Sequence, residues 1–292
     1  MHAPVLLKEA VDALNIKPNG CYLDCTGGLG GHAAAILGRL SAEARLLICD
    51  YHRETAESLK QRFTDNRVSV FNCRFSQIFD NLAFHFDGIL ADLGISSAQL
   101  LDAALGIGFS LKNVFLDMRI DQTLQTTAAD ILKFSSEEQL ADIFYYHGGE
   151  RAARKMARVI IADRKKNVLY TQTHELADLC SRVLGKYYRG KKIHPATKVF
   201  QALRIVVNKE HEEIEALLKT APGFLNPGGR LVMIAFHSGE DRLVKTKFKE
   251  LAKSGLYSLP FKKAVKPERQ EILSNQRSRS ARMRVLQAEE GS

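Results

Sequence analysis

A short apolar run that ends in an acid and then breaks into glycines, Cys21-Tyr22-Leu23-Asp24-Cys25-Thr26-Gly27-Gly28-Leu29-Gly30-Gly31-His32, constrains this chain more than any other stretch. Such a run reads as a strand, a tight loop and a helix entrance. Glycine suits the loop because a side chain the size of hydrogen lets backbone N–H groups approach a ligand and lets the next helix pack on its strand. Gly28-x-Gly30-x-x-Ala33 also satisfies the dinucleotide fingerprint. The loop by itself therefore marks a nucleotide-binding corner without naming the nucleotide.

Two further acids narrow the choice. Leu46-Leu47-Ile48-Cys49-Asp50 is a second buried-strand run closed by a carboxylate, as expected for an acid that accepts hydrogen bonds from ribose hydroxyls. Asp87-Gly88-Ile89-Leu90-Ala91-Asp92 is a third, with Asp92 at its end. In open α/β sheets ligands sit beyond the carboxyl ends of the strands, so Asp24, Asp50 and Asp92 are expected to converge on one crevice. An acid at the tip of the first strand faces a pyrophosphate badly but suits a cation such as S-adenosylmethionine (AdoMet), with its ammonium and sulfonium. Two alternatives stay open at this stage. Each acid can simply cap a helix or start a turn, and an NAD-dependent oxidoreductase would use the same glycines but would need a hydride-facing acid/base pair.

The 292 residues give room for one large α/β domain or for a domain plus an insertion, and a formal net charge of +9 favours a polyanionic partner, with nucleic acid the natural candidate. The cysteines Cys21, Cys25, Cys49, Cys73 and Cys180 are odd in number and lack paired metal spacing, which predicts reduced thiols in a cytoplasmic protein and no metal site. No apolar run approaches the length that spans a bilayer, so no membrane partner is expected.

Pro4 is placed at the first position of an N-terminal helix, with further helices over 32–40 and 54–63 and a strand over 68–73. Phe75 follows that strand, where an adenine ring would be walled, although a core role fits it equally. Beyond residue 104 the strand–helix alternation stops. The segment 105–194 reads as an inserted helical module between a first core part, 1–104, and a second, 195–292. Its signals are a capping box Ser136-x-x-Gln139, a basic helix over 150–164 and a helix capped by Thr173. The runs containing Lys165, Lys166, Lys191 and Lys192 read either as solvated faces or as contacts to RNA or DNA. A long helix over 196–219, a turn at 226–229, a strand over 230–236 and a last, edge-type strand over 277–286 bearing Arg277 and Arg279 complete the chain.

His2-Ala3-Pro4-Val5-Leu6-Leu7, Gly30-Gly31-His32, Asp92-Leu93-Gly94-Ile95-Ser96-Ser97-Ala98-Gln99, Leu116-Asp117-Met118-Arg119, His194-Pro195-Ala196-Thr197, His237-Ser238-x-Glu240-Asp241 and Asn275-x-Arg277-x-Arg279-Ser280-Ala281 together resemble the bacterial 16S rRNA cytosine-N4 methyltransferases nearly end to end. The resemblance implies an α/β fold, a class I (Rossmann-like) AdoMet methyltransferase sheet with an inserted mostly helical substrate-recognition domain. It further implies methylation of the exocyclic amine of one cytidine near the decoding P site of the small ribosomal subunit. Carried over by position, Gly30, Gly31, His32, Asp50, Phe75, Asp92 and Gln99 contact AdoMet, and Asp24 and Gly28 join them from the reading of the loop. Asp92, the Leu93 carbonyl, Ser96 or Ser97 would accept a hydrogen bond from the target amine. Asp241 and His237 would fix the fifth strand to the insertion. The chain departs from the family pattern at Gly27, His52, Ile107 and Gly239. A non-enzymatic RNA-binding or ribosome-assembly factor remains the rival reading, and the sequence leaves open whether the chain forms a homodimer.

Overall fold

In the computed structural model the described residues are 4–80, 82, 84–94, 102–109 and 112–291. They divide into two compact units, one made of residues 1–94 and 212–292 and the other of residues 95–211.

The first unit is built on strands β1 (Cys21–Asp24), β2 (Arg45–Asp50), β3 (Val68–Asn72), β4 (Phe86–Asp92), β5 (Leu225–Ala235), β6 (Tyr257–Ser258) and β7 (Arg282–Ala288). Their order is β3-β2-β1-β4-β5-β7-β6, with β1 to β5 parallel and β7 antiparallel to both neighbours. β1 is flanked by β2 on one side and β4 on the other, so the chain reverses its direction of travel across the sheet between them. That is the switch point at which an open α/β sheet leaves a crevice.

Side chains alternate along each strand. Leu23, Leu47, Ile89, Leu231 and Met233 pack to one face with Ile214, Leu217 and Phe248. Tyr22, Leu46, Ile48, Leu90, Val232 and Ile234 pack to the other with Val11, Leu14, Ile36 and Leu59. Both faces are covered, which is why these strands read as continuous apolar runs rather than alternating ones. The covering helices are α1 (Leu7–Ala13), α2 (Gly31–Leu37), α3 (Arg53–Arg62) and, later in the chain, α9 (Glu210–Thr220) and α10 (Ser238–Ala252), with a short α11 (Arg269–Ser274) before β7.

The second unit carries α4 (Ala128–Phe134), α5 (Glu137–Asp142), α6 (Ala153–Arg164), α7 (Thr173–Leu184) and α8 (Thr197–Asn208). Reciprocal capping boxes open α4 (Thr127 with Asp130) and α5 (Ser136 with Gln139), and at α7 Glu175 accepts from the Gln172 N–H (2.9 Å). Thr173 is thus the first residue of its helix and not its cap. The expected insert, 105–194, is shorter at both ends than this unit.

Several expectations give way to the structure. Pro4 lies ahead of α1, whose start is set by Leu6 in the left-handed region (φ 52°). The helix expected over 196–219 is two helices, because Lys209 takes φ 54° and the Asn208 amide turns away to donate to Met118 O (2.8 Å) while its oxygen accepts from Ile120 N (2.9 Å). Residues 226–229 form a wide bulge inside β5, where the pairing jumps from Phe86–Leu225 to Gly88–Arg230. The last strand begins only at Arg282 and is internal to the sheet; Arg277 and Arg279 stand in a 3-10 turn before it. No helix among the described residues is long and apolar enough to cross a membrane.

Candidate active site

β1, β2 and β4 end on Asp24, Asp50 and Asp92, and the parallel register sets these ends side by side: Asp24 pairs with Ile48 and Leu90, two residues short of the other two acids. The glycine loop is stitched to them. The Asp92 N–H donates to Thr26 Oγ1 (2.7 Å), the Thr26 N–H to Asp24 Oδ1 (3.1 Å), the Gly27 N–H to Cys49 O (2.9 Å), and the Gly28 and His52 N–H groups to the two oxygens of Asp50 (2.8 and 2.9 Å).

Two glycines are demanded by space. A Cβ on Gly31 would stand 2.1 Å from Pro4 Cγ, and one on Gly27 would meet Leu59 Cδ1 at 2.6 Å and Ile48 Cγ2 at 2.7 Å. The departure at Gly27 therefore lets the loop lie directly on the β2–α3 core.

Asp24 and Asp50 are buried and Asp92 is half-buried, in each other's company. Burial, reinforced by the charge of Asp50, pushes the Asp24 carboxyl up to about 7, even though Thr26 donates to it. Burial and then the charges of Asp24 and Glu240 push Asp92 well above the carboxylate range. Asp50 is raised by burial, which the Gly28 and His52 N–H groups only partly offset. Asp24 Oδ2 and Asp92 Oδ1 are buried with no hydrogen-bond partner. Such groups are costly unless something fills them.

Burial also lowers His32, to about 4, so its ring is neutral. With Nε2 3.2 Å from Val5 O, the ring proton is assigned there and Nδ1 faces Asp92 Oδ2 at 3.8 Å. This is a contact with a neutral imidazole and not an ion pair. Three carboxyls around a glycine-lined corner, each held toward its neutral form and two with an unused oxygen, make a site that gains most from a cation carried on a nucleoside.

Asp24, Gly28, Gly30, Gly31, His32, Asp50 and Asp92 all meet at this corner. Phe75 follows β3 and packs half-buried against the core cluster that contains Leu23 and Leu47. Ser96, Ser97 and Gln99 lie outside the described residues. Asp241 accepts from Arg284 Nε (2.7 Å) and Arg282 Nη1 (2.9 Å), tying α10 to β7. Burial opposes its charge, but the two arginines prevail and hold it below the usual carboxylate value. His237 caps α10, its Nδ1 accepting from Glu240 N (3.3 Å).

Two contributors escaped the sequence reading. Thr26 uses its hydroxyl to join the β1 loop to β4. Glu240, 1% exposed, accepts from Phe236 N (2.8 Å) and raises Asp92 by its charge. Each stood inside a motif, but only the folded backbone reveals what it bonds.

The chain matches the MraW methylase family over residues 1–289. Proteins called ribosomal RNA small subunit methyltransferase H resemble it throughout: one from Cyanothece sp. is 43% identical over 289 residues, covering 98% of this chain and 94% of that protein. One from Desulfotalea psychrophila is 40% identical over 293 residues (98% of each chain), and one from Ehrlichia canis 41% identical over 300 (98% and 99%). With a strand order, an acid-lined glycine corner and a family match that run the length of the sequence, the chain belongs to the MraW methylase family.

Proposed function

We propose that this chain transfers a methyl group from AdoMet to the exocyclic N4 amine of a cytidine in small-subunit ribosomal RNA, acting in the cytoplasm on 16S rRNA. The observation that carries the reading is the pair of buried, unpartnered carboxylate oxygens, Asp24 Oδ2 and Asp92 Oδ1, beside the glycine loop. They fit a ligand that brings positive charge to a nucleoside, as AdoMet does, and fit the phosphates of NAD badly.

AdoMet would supply an electrophilic methyl group and a neutral thioether leaving group. The protein's part is placement and charge. Asp50 keeps lone pairs beyond the two it gives to Gly28 and His52, and these are available to ribose hydroxyls. Gly28, Gly30 and Gly31 leave the backbone open for close approach. Cytosine N4 is a weak nucleophile because its lone pair is delocalised into the ring. An acceptor for one of its N–H bonds, Asp92 at the end of β4 with Ser96 and Ser97 following in sequence, would favour a pyramidal nitrogen in line with the methyl. Holding two reactants in attack geometry supplies much of such a barrier reduction. A base within folded rRNA must first leave its stack to enter a crevice at the strand ends.

The second unit, residues 95–211, is the proposed RNA-gripping module. In support, its surface sets amines over exposed rings: Lys155 and Lys186 lie 5.6 and 4.9 Å from the Tyr187 ring centre, and Lys133 lies 4.9 Å from that of Phe134. Aromatic faces beside basic groups are what single-stranded nucleic acid binds.

Incubating the protein with labelled AdoMet and under-methylated small subunits, followed by nucleoside mass spectrometry, tests the reading. N4-methylcytidine at one site is expected. Label at C5, on ribose or in protein would overturn it.

A further inference from the structure

Two thiols beside the site have no part in the chemistry above. β2 and β3 run parallel with Cys49 opposite Phe71 and Asp50 opposite Asn72, and the chain leaving β3 brings Cys73 back over Cys49. Their sulfurs are 3.2 Å apart, and Cys49 Sγ lies 3.0 Å from Cys73 O. Cys49 is fully enclosed, whereas Cys73 is only half-buried and open to small solutes. The contact with Cys49 Sγ draws the Cys73 thiol below its ordinary value, and the same contact, with burial, pushes Cys49 up. An accessible, acidified thiol backed by a buried second thiol is the arrangement of a redox-responsive pair.

We propose that Cys73 and Cys49 form a peroxide-responsive modification site that controls the donor pocket. In the first step the Cys73 thiolate attacks the O–O bond of a hydroperoxide, giving the sulfenic acid and releasing hydroxide (or alkoxide). In the second, Cys49 sulfur displaces that hydroxyl from Cys73, forming the disulfide, and the thiol proton leaves with it as water. The peroxide is reduced, and the two thiols are oxidised together by two electrons. A disulfide bond is about 2.05 Å long, so the sulfurs must close by about 1 Å. Cys49 cannot move alone: its carbonyl accepts from Gly27, and the next residue, Asp50, holds Gly28 and His52. Oxidation therefore pulls on the glycine loop and on the acid assigned to the ribose. This consequence for ligand binding rests on the AdoMet reading, whereas formation of the bond does not.

The test treats the native, full-length protein with hydrogen peroxide and maps its peptides before and after dithiothreitol, with S-adenosylhomocysteine titrated into each form. The expected result is a Cys49–Cys73 linked peptide, reversed by dithiothreitol, with affinity for S-adenosylhomocysteine at least tenfold weaker while linked. Cys73→Ser should form no link and keep its affinity under peroxide. Cys49→Ala should instead accumulate sulfinic acid on Cys73, a readout that survives if one variant folds poorly. A Cys25 link or no link at all would overturn the site, and a link without loss of affinity would overturn the control of the pocket. If the reduced protein binds no S-adenosylhomocysteine, the AdoMet reading fails, while the peptide map still decides the thiol pair.

Discussion

Replacing Asp24 by asparagine keeps the shape of the side chain and removes a charge that the fold tolerates badly. The Asp24 carboxyl is raised from 3.8 to about 7. At about 1.4 kcal/mol per factor of ten, keeping it ionised in the fold costs about 4 kcal/mol relative to the unfolded chain. The sign follows from the raised value: the free protein keeps this stability at acid pH and loses it as pH rises through the window from 3.8 to about 7. Asparagine does not titrate and still offers Oδ1 to the Thr26 N–H. Its nitrogen, in place of the orphan Oδ2, costs about 1–3 kcal/mol if it finds no acceptor. In urea unfolding at about pH 8, Asp24→Asn should therefore be the more stable protein by about 1–3 kcal/mol. The difference should fall by about 1.4 kcal/mol per pH unit on going from about pH 7 toward 4, and reverse sign before the acid end of that window. The same variant should bind AdoMet at least tenfold more weakly, because the cation loses its buried counter-charge. Parallel pH–stability curves for the two proteins, or unchanged AdoMet affinity, would refute the assignment of Asp24 as a strained acid awaiting a cation.

Asp50→Ala should weaken AdoMet binding by about 1.5–3 kcal/mol in calorimetry, since a charged acceptor and the Gly28 and His52 anchors go together. Lys209→Gly should raise the unfolding free energy by about 1 kcal/mol, because glycine adopts the left-handed break between α8 and α9 without the Cβ penalty; destabilisation would mean that the lysine side chain earns its place there. Single alanine variants of Lys165, Lys166, Lys191, Lys192, Arg277 and Arg279 should each lower the log–log salt slope of rRNA binding by about 1, with AdoMet affinity held in all but Arg277→Ala, because the Arg277 charge reaches Asp92; an unmoved slope across all of them would remove these residues from the RNA surface.

The strand-end acids and the glycine loop were legible because they follow from local pattern: an apolar run, a carboxylate and glycines have one common use in an α/β sheet, and parallel strands buried on both faces leave uninterrupted apolar sequence. Ser136-x-x-Gln139 declared its helix for the same reason, since a capping box closes within one turn. The rest depended on partners far apart in sequence. The break at Lys209 follows from Asn208 reaching Met118 and Ile120, about 90 residues back, in a stretch whose helical periodicity runs on unbroken. The partners of Asp241, Arg282 and Arg284 of β7, lie about 40 residues further along the chain, and no local pattern announces them. The charge states of Asp24, Asp92 and His32 were likewise decided only by the tertiary structure. Sequence can place an ionisable residue at a strand end, but its desolvation and the like charges around it exist only once the sheet and its covering helices have excluded water.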